Sequence, residues 1–179
     1  KKWLSQKGFQ KAYKDRLISS LYFENISNKT FLDSEEGTVP RKKIRIRNYP
    51  LDTNFKDHFF EVKISSVEGR FKNSKKISHL SYEKFVRNGY DDEDYGICHP
   101  KLYVNYLRQY FKLNNLRITL DSNIKYADFK NNNLLFNDNY NAVEIKTDLN
   151  TSIDDLYKEF PYQNIRFSKY CRGFEKLYF

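Results

Sequence analysis

The chain has 179 residues, 39% of them hydrophobic and 17% aromatic, which is enough for one domain with a substantial core and argues against disorder. No apolar run approaches the length of a membrane span, and two cysteines are too few for a disulfide scaffold. The formal net charge of +9 suggests a polyanionic partner, such as nucleic acid, an anionic membrane or phosphate chains. We therefore expect a single domain over residues 1–179 in the reducing environment of the cytoplasm.

Helix and strand patterns follow each other along the first half of the chain. Residues 2–16 show the apolar spacing of a helix. Strands are predicted at residues 18–23, 42–48 and 59–65. A basic stretch occupies residues 70–76, and Ser81 as N-cap with Gly89 as C-cap predicts a short helix at 81–88.

Strand patterns dominate the second half of the chain. Strands are predicted at residues 102–110, 117–121, 125–129, 142–147 and 165–168. A helix is predicted over residues 152–160, where Pro161 ends it, and another begins near Lys169. Many short strands with a few helices indicate an α+β fold built on an antiparallel sheet or barrel.

The predicted strands divide their residues between a charged face and an aliphatic face. In the second strand, Lys43, Arg45 and Arg47 share one face and two isoleucines share the other. The same division recurs at residues 61–64, 117–121 and 143–146, and Tyr106 shares a face with Arg108. A half-buried sheet with its polar face in water has this pattern, and so does an inward-facing cationic lumen. Successive bulky cations repel each other unless a polyanion neutralises them, which favours the lumen, but alternation alone leaves both possibilities open.

Seven short motifs in fixed order resemble those of the VTC domain of the triphosphate tunnel metalloenzymes, the CYTH superfamily. Their residues are more similar to the bacterial branch of that family than to the yeast vacuolar branch. They are SLYFE at 20–24, KIRIR at 43–47, EVK at 61–63, YLRQYF at 106–111, LRITLD at 116–121, EIK at 144–146, and FSKY at 167–170 with Gly173. The resemblance implies a closed antiparallel β-barrel, the triphosphate tunnel, with a few flanking helices and a lumen lined by basic residues. The family opens with a strand that carries a Glu and a Lys before the first helix. This chain starts inside that helix, so either this sequence does not include the strand or this member of the family has none. We expect a single VTC-like tunnel domain, with both alternatives open for its first strand.

The resemblance also implies which residues contact phosphate. By motif match these are Arg45, Arg47, Lys63, Tyr106, Arg108, Arg117, Ser168 and Lys169. Arg166 stands where the family often has Lys. A further lysine is expected after the third strand; Lys72 is the first choice, with Lys75 and Lys76 as competitors. Lys146 is a plausible extra contact, because it shares a face with the glutamate of its motif.

The resemblance implies a metal-binding glutamate as well. Glu144 matches the metal-ligand position, and Mn²⁺ or Mg²⁺ suits such an oxygen ligand. Glu61 could face the tunnel as a second ligand, but an ion pair between Glu61 and neighbouring cations is at least as plausible.

The function implied is that of a metal-dependent polyphosphate polymerase, which transfers the γ-phosphoryl group of ATP to a growing polyphosphate chain. A triphosphatase or tripolyphosphatase would need the same lumen, and a non-catalytic polyphosphate-binding module is a third alternative. The expected partners are ATP and inorganic polyphosphate or triphosphate. No specific nucleic acid is expected, because the motif strands place charges on their shared face where RNA-binding sheets place aromatics. No membrane segment is expected in this chain.

Overall fold

The computed structural model describes residues 2–50, 57–131, 133–147, 152, 154, 156, 160 and 162–179. Within them, the helices are α1 (Lys2–Gln6), α2 (Lys29–Glu36), α3 (His79–Asn88) and α4 (Lys169–Tyr178). The strands are β1 (Gln10–Glu24), β2 (Arg41–Asn48), β3 (His58–Ser65), β4 (Arg70–Ile77), β5 (Tyr90–Asp92), β6 (Gly96–Leu113), β7 (Leu116–Asp128), β8 (Leu135–Asn137) and β9 (Ala142–Lys146).

All nine strands belong to one antiparallel sheet. Its strand order is β4-β3-β2-β1-β6-β7-β8, with β5 added to β6 and β9 added to β7. Within the described part of the chain, no backbone ladder joins β4 to β8 or β9, so the sheet has an open seam between its two ends. The predicted α+β fold with an antiparallel tunnel-type sheet is confirmed, but the described strands do not close into the expected barrel.

Each face of the sheet carries an apolar cluster. On the outer face, Ile44 and Ile46 of β2 are buried against Leu21, Phe23 and the apolar side of α3. On the inner face, which we define as the face of β2 that bears Lys43, Arg45 and Arg47, the apolar cluster lies beneath α4. Full burial of an aliphatic side chain such as Ile44 contributes about 1.5–3 kcal/mol. The outer cluster thus fixes the side of β2 from which the cations project.

One lysine of β2 lies on the outer face, where three carboxylates neutralise its charge. Lys42 is buried, and its ammonium contacts Asp92, Glu93 and Asp94 at 2.7–3.2 Å. These carboxylates raise the pKa of Lys42 above its ordinary value, although burial acts against its charge. This contact joins β2 to the turn that follows β5.

The prediction of one helix over residues 2–16 is wrong. Helix α1 ends at Gln6, Gly8 adopts the left-handed conformation with φ +81°, and strand β1 begins at Gln10. The apolar residues that suggested a helical face, such as Leu4 and Phe9, pack instead in a third small cluster. Residues 10–16 then pair with β6 as a strand.

Three further sequence predictions differ in detail from the structure. The strands predicted at 117–121 and 125–129 are one strand, β7, interrupted by a bulge near Asn123, which has φ +53°. Helix α3 is capped by Ser78, whose hydroxyl accepts the backbone N–H of Ser81. No strand forms at 165–168, because this segment finds no ladder partner and ends as the cap of α4.

The helix predicted at 152–160 lies mostly outside the described residues. Two hydrogen bonds with helical spacing, from Leu156 N to Ser152 O and from Phe160 N to Leu156 O, agree with it. The C-terminal helix is confirmed as α4.

Candidate functional site

The register of the sheet gathers charged side chains from neighbouring strands on the inner face. Lys43 lies opposite Lys63, which lies opposite Lys72, and Arg45 lies opposite Glu61. We call the polar residues of this face and of the N-terminus of α4 the lumen cluster. Its members are Ser20, Tyr22, Lys43, Arg45, Arg47, Glu61, Lys63, Lys72, Ser74, Tyr106, Arg108, Arg117, Asp121, Glu144, Lys146, Ser168 and Lys169.

Arg45 is held by a carboxylate and a phenol. Its Nε and Nη2 donate to Glu61 Oε2 at 2.7 and 2.5 Å, and its Nη1 donates to Tyr22 OH at 2.9 Å. The other oxygen of Glu61 accepts from Lys72 Nζ at 3.1 Å and Ser74 Oγ at 3.4 Å. Burial opposes ionisation of Glu61, but Arg45 and Arg47 outweigh it and lower the Glu61 pKa to about 2. Glu61 therefore orders cations, with both oxygens engaged.

Arg47 has no such carboxylate partner within the described residues. Its Nε donates to Ser20 Oγ and its Nη2 to Tyr106 OH, both at 3.1 Å, and only 8% of the residue is exposed. The guanidinium of Arg47 thus lies in a poorly solvated place without a direct ion pair among the described residues, although its charge and that of Glu61 attract each other. Such a group favours an anionic ligand.

The excess of positive charge perturbs two neighbouring groups. Burial raises the pKa of Tyr22, yet Arg45, Arg47 and Lys63 together lower it to about 7. Partial desolvation and the charge of Arg45 lower the pKa of Lys63, while Tyr22 and Glu144 of β9 oppose that shift. The charge of Glu144 thus acts on Lys63, although their strands, β9 and β3, are not hydrogen-bonded to each other.

A second carboxylate orders the opposite wall. Arg108 Nε and Nη2 donate to the two oxygens of Asp121 at 2.6 and 2.7 Å, and Lys169 Nζ contacts Asp121 Oδ2 at 2.6 Å. These cations lower the pKa of the buried Asp121, although desolvation acts in the other direction. Lys169 Nζ also lies 5.0 Å from the ring centre of Tyr106. The first residue of α4 is thereby tied to β6 and β7.

Ser168 and Lys43 join at the start of the same helix. The Ser168 hydroxyl accepts the backbone N–H of Cys171 as N-cap and receives a 2.7 Å hydrogen bond from Lys43 Nζ. Lys43 was on the predicted charged face, but only the structure shows that it reaches the site. Ser20, Tyr22 and Asp121 are further members that the sequence reasoning missed. Their strand alternation was the available signal, since each shares a face with a predicted cation.

Glu144 is the carboxylate of the cluster best placed to hold a metal ion. Its side chain is 51% exposed, and the nearest cations, Lys146 Nζ at 3.5 Å and Arg108 Nη2 at 3.8 Å, lie beyond ordinary hydrogen-bond distance. Its oxygens are thus available, whereas those of Glu61 are engaged. Within the described residues no group of three His, Cys, Asp or Glu side chains could hold a metal. One carboxylate fits Mg²⁺ or Mn²⁺ only if water and substrate phosphates complete the coordination, as they commonly do for Mg²⁺.

The structure brings together most of the predicted contacts but not all of them. Arg166 lies outside the cluster, because its guanidinium donates to the carbonyl of Ser34 in the last turn of α2, where helical carbonyls lack partners. Arg117 is on the inner face but exposed, without a hydrogen bond or ion pair in the described part of the chain. Of the three candidate lysines of β4, only Lys72 reaches the cluster; Lys76 pairs with Asp57 at 2.7 Å.

Solved structures support the tunnel fold. The chain resembles the PH1012 protein of Pyrococcus horikoshii OT3 with a TM-score of 0.55 and 14% identity, over 90% of this chain and 82% of that one. It also resembles a protein of Bacillus halodurans described as “a putative adenylate cyclase”, with a TM-score of 0.58 and 12% identity, over 93% of this chain and 86% of that one.

Sequence comparison identifies the family. No curated protein matches the chain. Among the helices described, none has the length and apolar character needed to cross a membrane. The sequence model of the VTC domain matches residues 2–95 and 92–178, which is nearly the whole chain. The chain therefore belongs to the VTC domain family.

Proposed function

We propose that this domain binds the triphosphate of ATP in the lumen cluster and transfers its γ-phosphoryl group to the end of a polyphosphate chain. Membership of the VTC family supports an enzyme that acts on phosphate compounds. The observation that carries the proposal is Arg47, a buried guanidinium whose partners are two hydroxyls. A phosphate oxygen would supply the missing negative charge.

The chain's own residues would do most of the work by positioning. Phosphoryl transfer requires in-line alignment and stabilisation of charge on the transferred group, with little covalent chemistry from the protein. Arg45 and Arg47 on one wall and Arg108 and Lys169 on the other can bind successive phosphates of one chain. The lumen surrounds these contacts with protein, so that each is stronger than it would be in water.

Glu144 would hold Mn²⁺ or Mg²⁺. Such an ion, when bound, neutralises charge on bridging phosphate oxygens. Lys146 and Arg108 flank the Glu144 carboxylate closely enough to orient it without occupying it. An oxygen of the terminal phosphate of the acceptor chain, or water in a hydrolase, would attack the γ-phosphorus. The bond from that phosphorus to the β–γ bridging oxygen would break, and ADP would leave.

One assay separates the candidate functions. The purified chain is incubated with ATP and Mn²⁺ or Mg²⁺, and the products are resolved. We expect long-chain polyphosphate; free phosphate alone would indicate a triphosphatase. Polyphosphate binding without turnover would indicate a binding module, and neither binding nor turnover would refute the proposal.

The Glu144→Gln variant tests the metal site. Turnover should be abolished while part of the polyphosphate affinity persists, because the cations remain. Glu175→Gln, an exposed carboxylate on α4, is the matched control and should retain activity. Normal turnover of Glu144→Gln would show that the metal lies elsewhere.

A further inference from the structure

Two aromatic rings stand at one end of the lumen, next to Arg47. Phe59 is the cross-strand partner of Arg47 in the β2–β3 ladder, so both side chains project from the inner face. Tyr49 follows Arg47 by two residues and packs against the inner apolar cluster. The ring centres of Tyr49 and Phe59 are 5.9 Å apart, and their planes cross at 67°.

Phe59 is unusual among the residues of β3 that face the lumen. The next residues on its face are Glu61 and Lys63, both charged. Phe59 is only half-buried and packs against none of the three apolar clusters formed by the described residues. Its neighbour Phe60 points outward and stacks on Phe85 at 4.9 Å, as a core residue does. An apolar ring at the end of a cationic lumen, outside the apolar clusters that the described residues form, is suited to a ligand that joins an apolar part to an anionic part.

The ring of Tyr49 already has a cationic neighbour on one face, at a cation–π distance. The guanidinium of Arg16 lies 5.6 Å from the ring centre of Tyr49. Arg16 is exposed and lies opposite Arg108 in the β1–β6 ladder. The aromatic pair therefore has two cationic neighbours, Arg47 and Arg16. Both rings are half-buried, and Arg16 is exposed to solvent.

The spacing fits a nucleotide. Two residues along a strand span about 7 Å, which separates the Tyr49 backbone from that of Arg47. In a nucleotide, the ribose separates the base from the α-phosphate by a similar distance. We propose that Tyr49 and Phe59 form a nucleobase subsite, which holds the base of a nucleoside triphosphate at this end of the lumen while its phosphates run inward past Arg47. This inference rests on the proposed function, since it presupposes that the lumen binds triphosphate.

The subsite defines a substrate class. Aromatic stacking tolerates any base, because every base has a π-face, so ATP and GTP should bind with similar affinity. Inorganic tripolyphosphate has no base and would use the cations alone. Tyr49 and Phe59 would thus favour nucleotide over inorganic triphosphate without contributing to phosphate binding.

Paired titrations test the inference. Binding of ATP, GTP and tripolyphosphate is measured by calorimetry for the wild type and for Phe59→Ala and Tyr49→Ala. Divalent metal is omitted so that no turnover takes place. We expect ATP and GTP affinity to fall by about tenfold in each variant, within the range measured for loss of a stacked aromatic, while tripolyphosphate affinity stays unchanged. Phe59→Trp should restore nucleotide affinity. Phe71→Ala removes an exposed phenylalanine from the outward side of β4 and should change neither affinity.

The outcomes separate this inference from the proposed function. A wild-type chain that binds neither ATP nor tripolyphosphate would refute the proposed function itself. If the wild type binds both, an equal loss of both ligands in Phe59→Ala would mean that the ring only shapes the lumen, and the inference would be overturned. Unchanged ATP affinity in both alanine variants would overturn it as well. Circular dichroism of each variant establishes that it is folded.

Discussion

Arg45 and Arg47 are two residues apart on β2 and differ in what neutralises them. Arg45 donates two hydrogen bonds to one carboxylate oxygen of Glu61, whereas the hydrogen-bond partners of Arg47 among the described residues are the hydroxyls of Ser20 and Tyr106. Removing Arg45 would leave a buried carboxylate with weaker partners. Removing Arg47 would relieve its repulsion of Lys63 but would also remove its attraction for Glu61, so that the two effects oppose each other. Affinity and stability should therefore separate in these two variants.

We expect Arg47→Ala to weaken tripolyphosphate binding by about 10- to 100-fold, the loss of a charge-assisted hydrogen bond of about 1.5–3 kcal/mol. Its melting temperature should change much less than that of Arg45→Ala, because Arg45 and not Arg47 forms the direct ion pair with Glu61. Arg45→Ala should lower both affinity and melting temperature. Calorimetric titration and thermal unfolding of the two variants check this. A large loss of stability in Arg47→Ala would show that its charge is neutralised within the protein.

Tyr22 should ionise near neutral pH. Its folded-state pKa of about 7 lies below the ordinary value of 10.0, so the phenolate is favoured by folding. The resulting stability is fully present above pH 10 and is lost as pH falls through 7. Ultraviolet titration should show one phenolate forming near pH 7, and Tyr22→Phe should abolish it. Tyr106→Phe should retain it, because burial raises the pKa of Tyr106. A wild type without this phase would contradict the expectation.

The sequence predicted which face of β2 carries charge, because Ile44 and Ile46 alternate with the cations. It could not predict which carboxylate neutralises which cation, since Arg45 and Glu61 meet only through the register of β2 and β3. It also could not place Arg166, whose partner is a backbone carbonyl on α2. Contacts of this kind depend on packing and leave no periodic signal.

At the scale of elements, helix α4 fits closely against β7. A Cβ added to Gly173 would lie 2.5 Å from Cδ1 of Tyr126, which is fully buried and donates its hydroxyl to Asp138 at 2.9 Å. The ring has no room to move aside. Gly173 is thus required by close approach, despite the weak helix propensity of glycine.

We expect Gly173→Ala to lower stability by up to about 2 kcal/mol, because an overpacking cost of up to about 3 kcal/mol outweighs the gain in helix propensity of about 1 kcal/mol. Thermal or urea unfolding measures the change. Glu175→Ala, an exposed position of the same helix, should be neutral or stabilising. A stabilised Gly173→Ala variant would show that α4 can shift away from Tyr126.

Elements with mixed composition were the hardest to predict. Strand β4 reads as a basic stretch because most of its residues are exposed and no apolar alternation marks a buried face. Helix α2 has no strong apolar period, and it begins where the buried carboxylate of Glu24 accepts the N–H groups of Thr30 and Phe31. A helix start that is stabilised by a side chain from a preceding strand cannot be predicted from the local sequence pattern of the helix.

At the scale of the whole molecule, the lumen is bordered by strands from both ends of the sheet. Lys63 and Lys72 lie on one side of the seam, and Glu144 and Lys146 on the other. A bound phosphate chain would contact both sides. The extent of the single domain over residues 1–179 stays a prediction.

We expect tripolyphosphate at about one hundred times its dissociation constant to stabilise the fold by about 2.7 kcal/mol, and thus to raise the melting temperature by about 5–10 °C. Hydrogen exchange should slow in β3 and β4 and also in β7 and β9. The Arg47→Ala chain at the same ligand concentration should show a smaller rise. Protection confined to one of these walls would contradict binding across the lumen.

Glu61 and Asp121 have a consequence for how fast and how tightly a ligand can associate. These two carboxylates already immobilise Arg45, Lys72, Arg108 and Lys169 before any anion arrives. The conformational entropy of these long side chains is then lost when the protein folds, so that less entropy is lost when a ligand binds. An incoming anion would meet a preorganised receptor that changes shape little, at the expense of competing with two resident acids for the same donors.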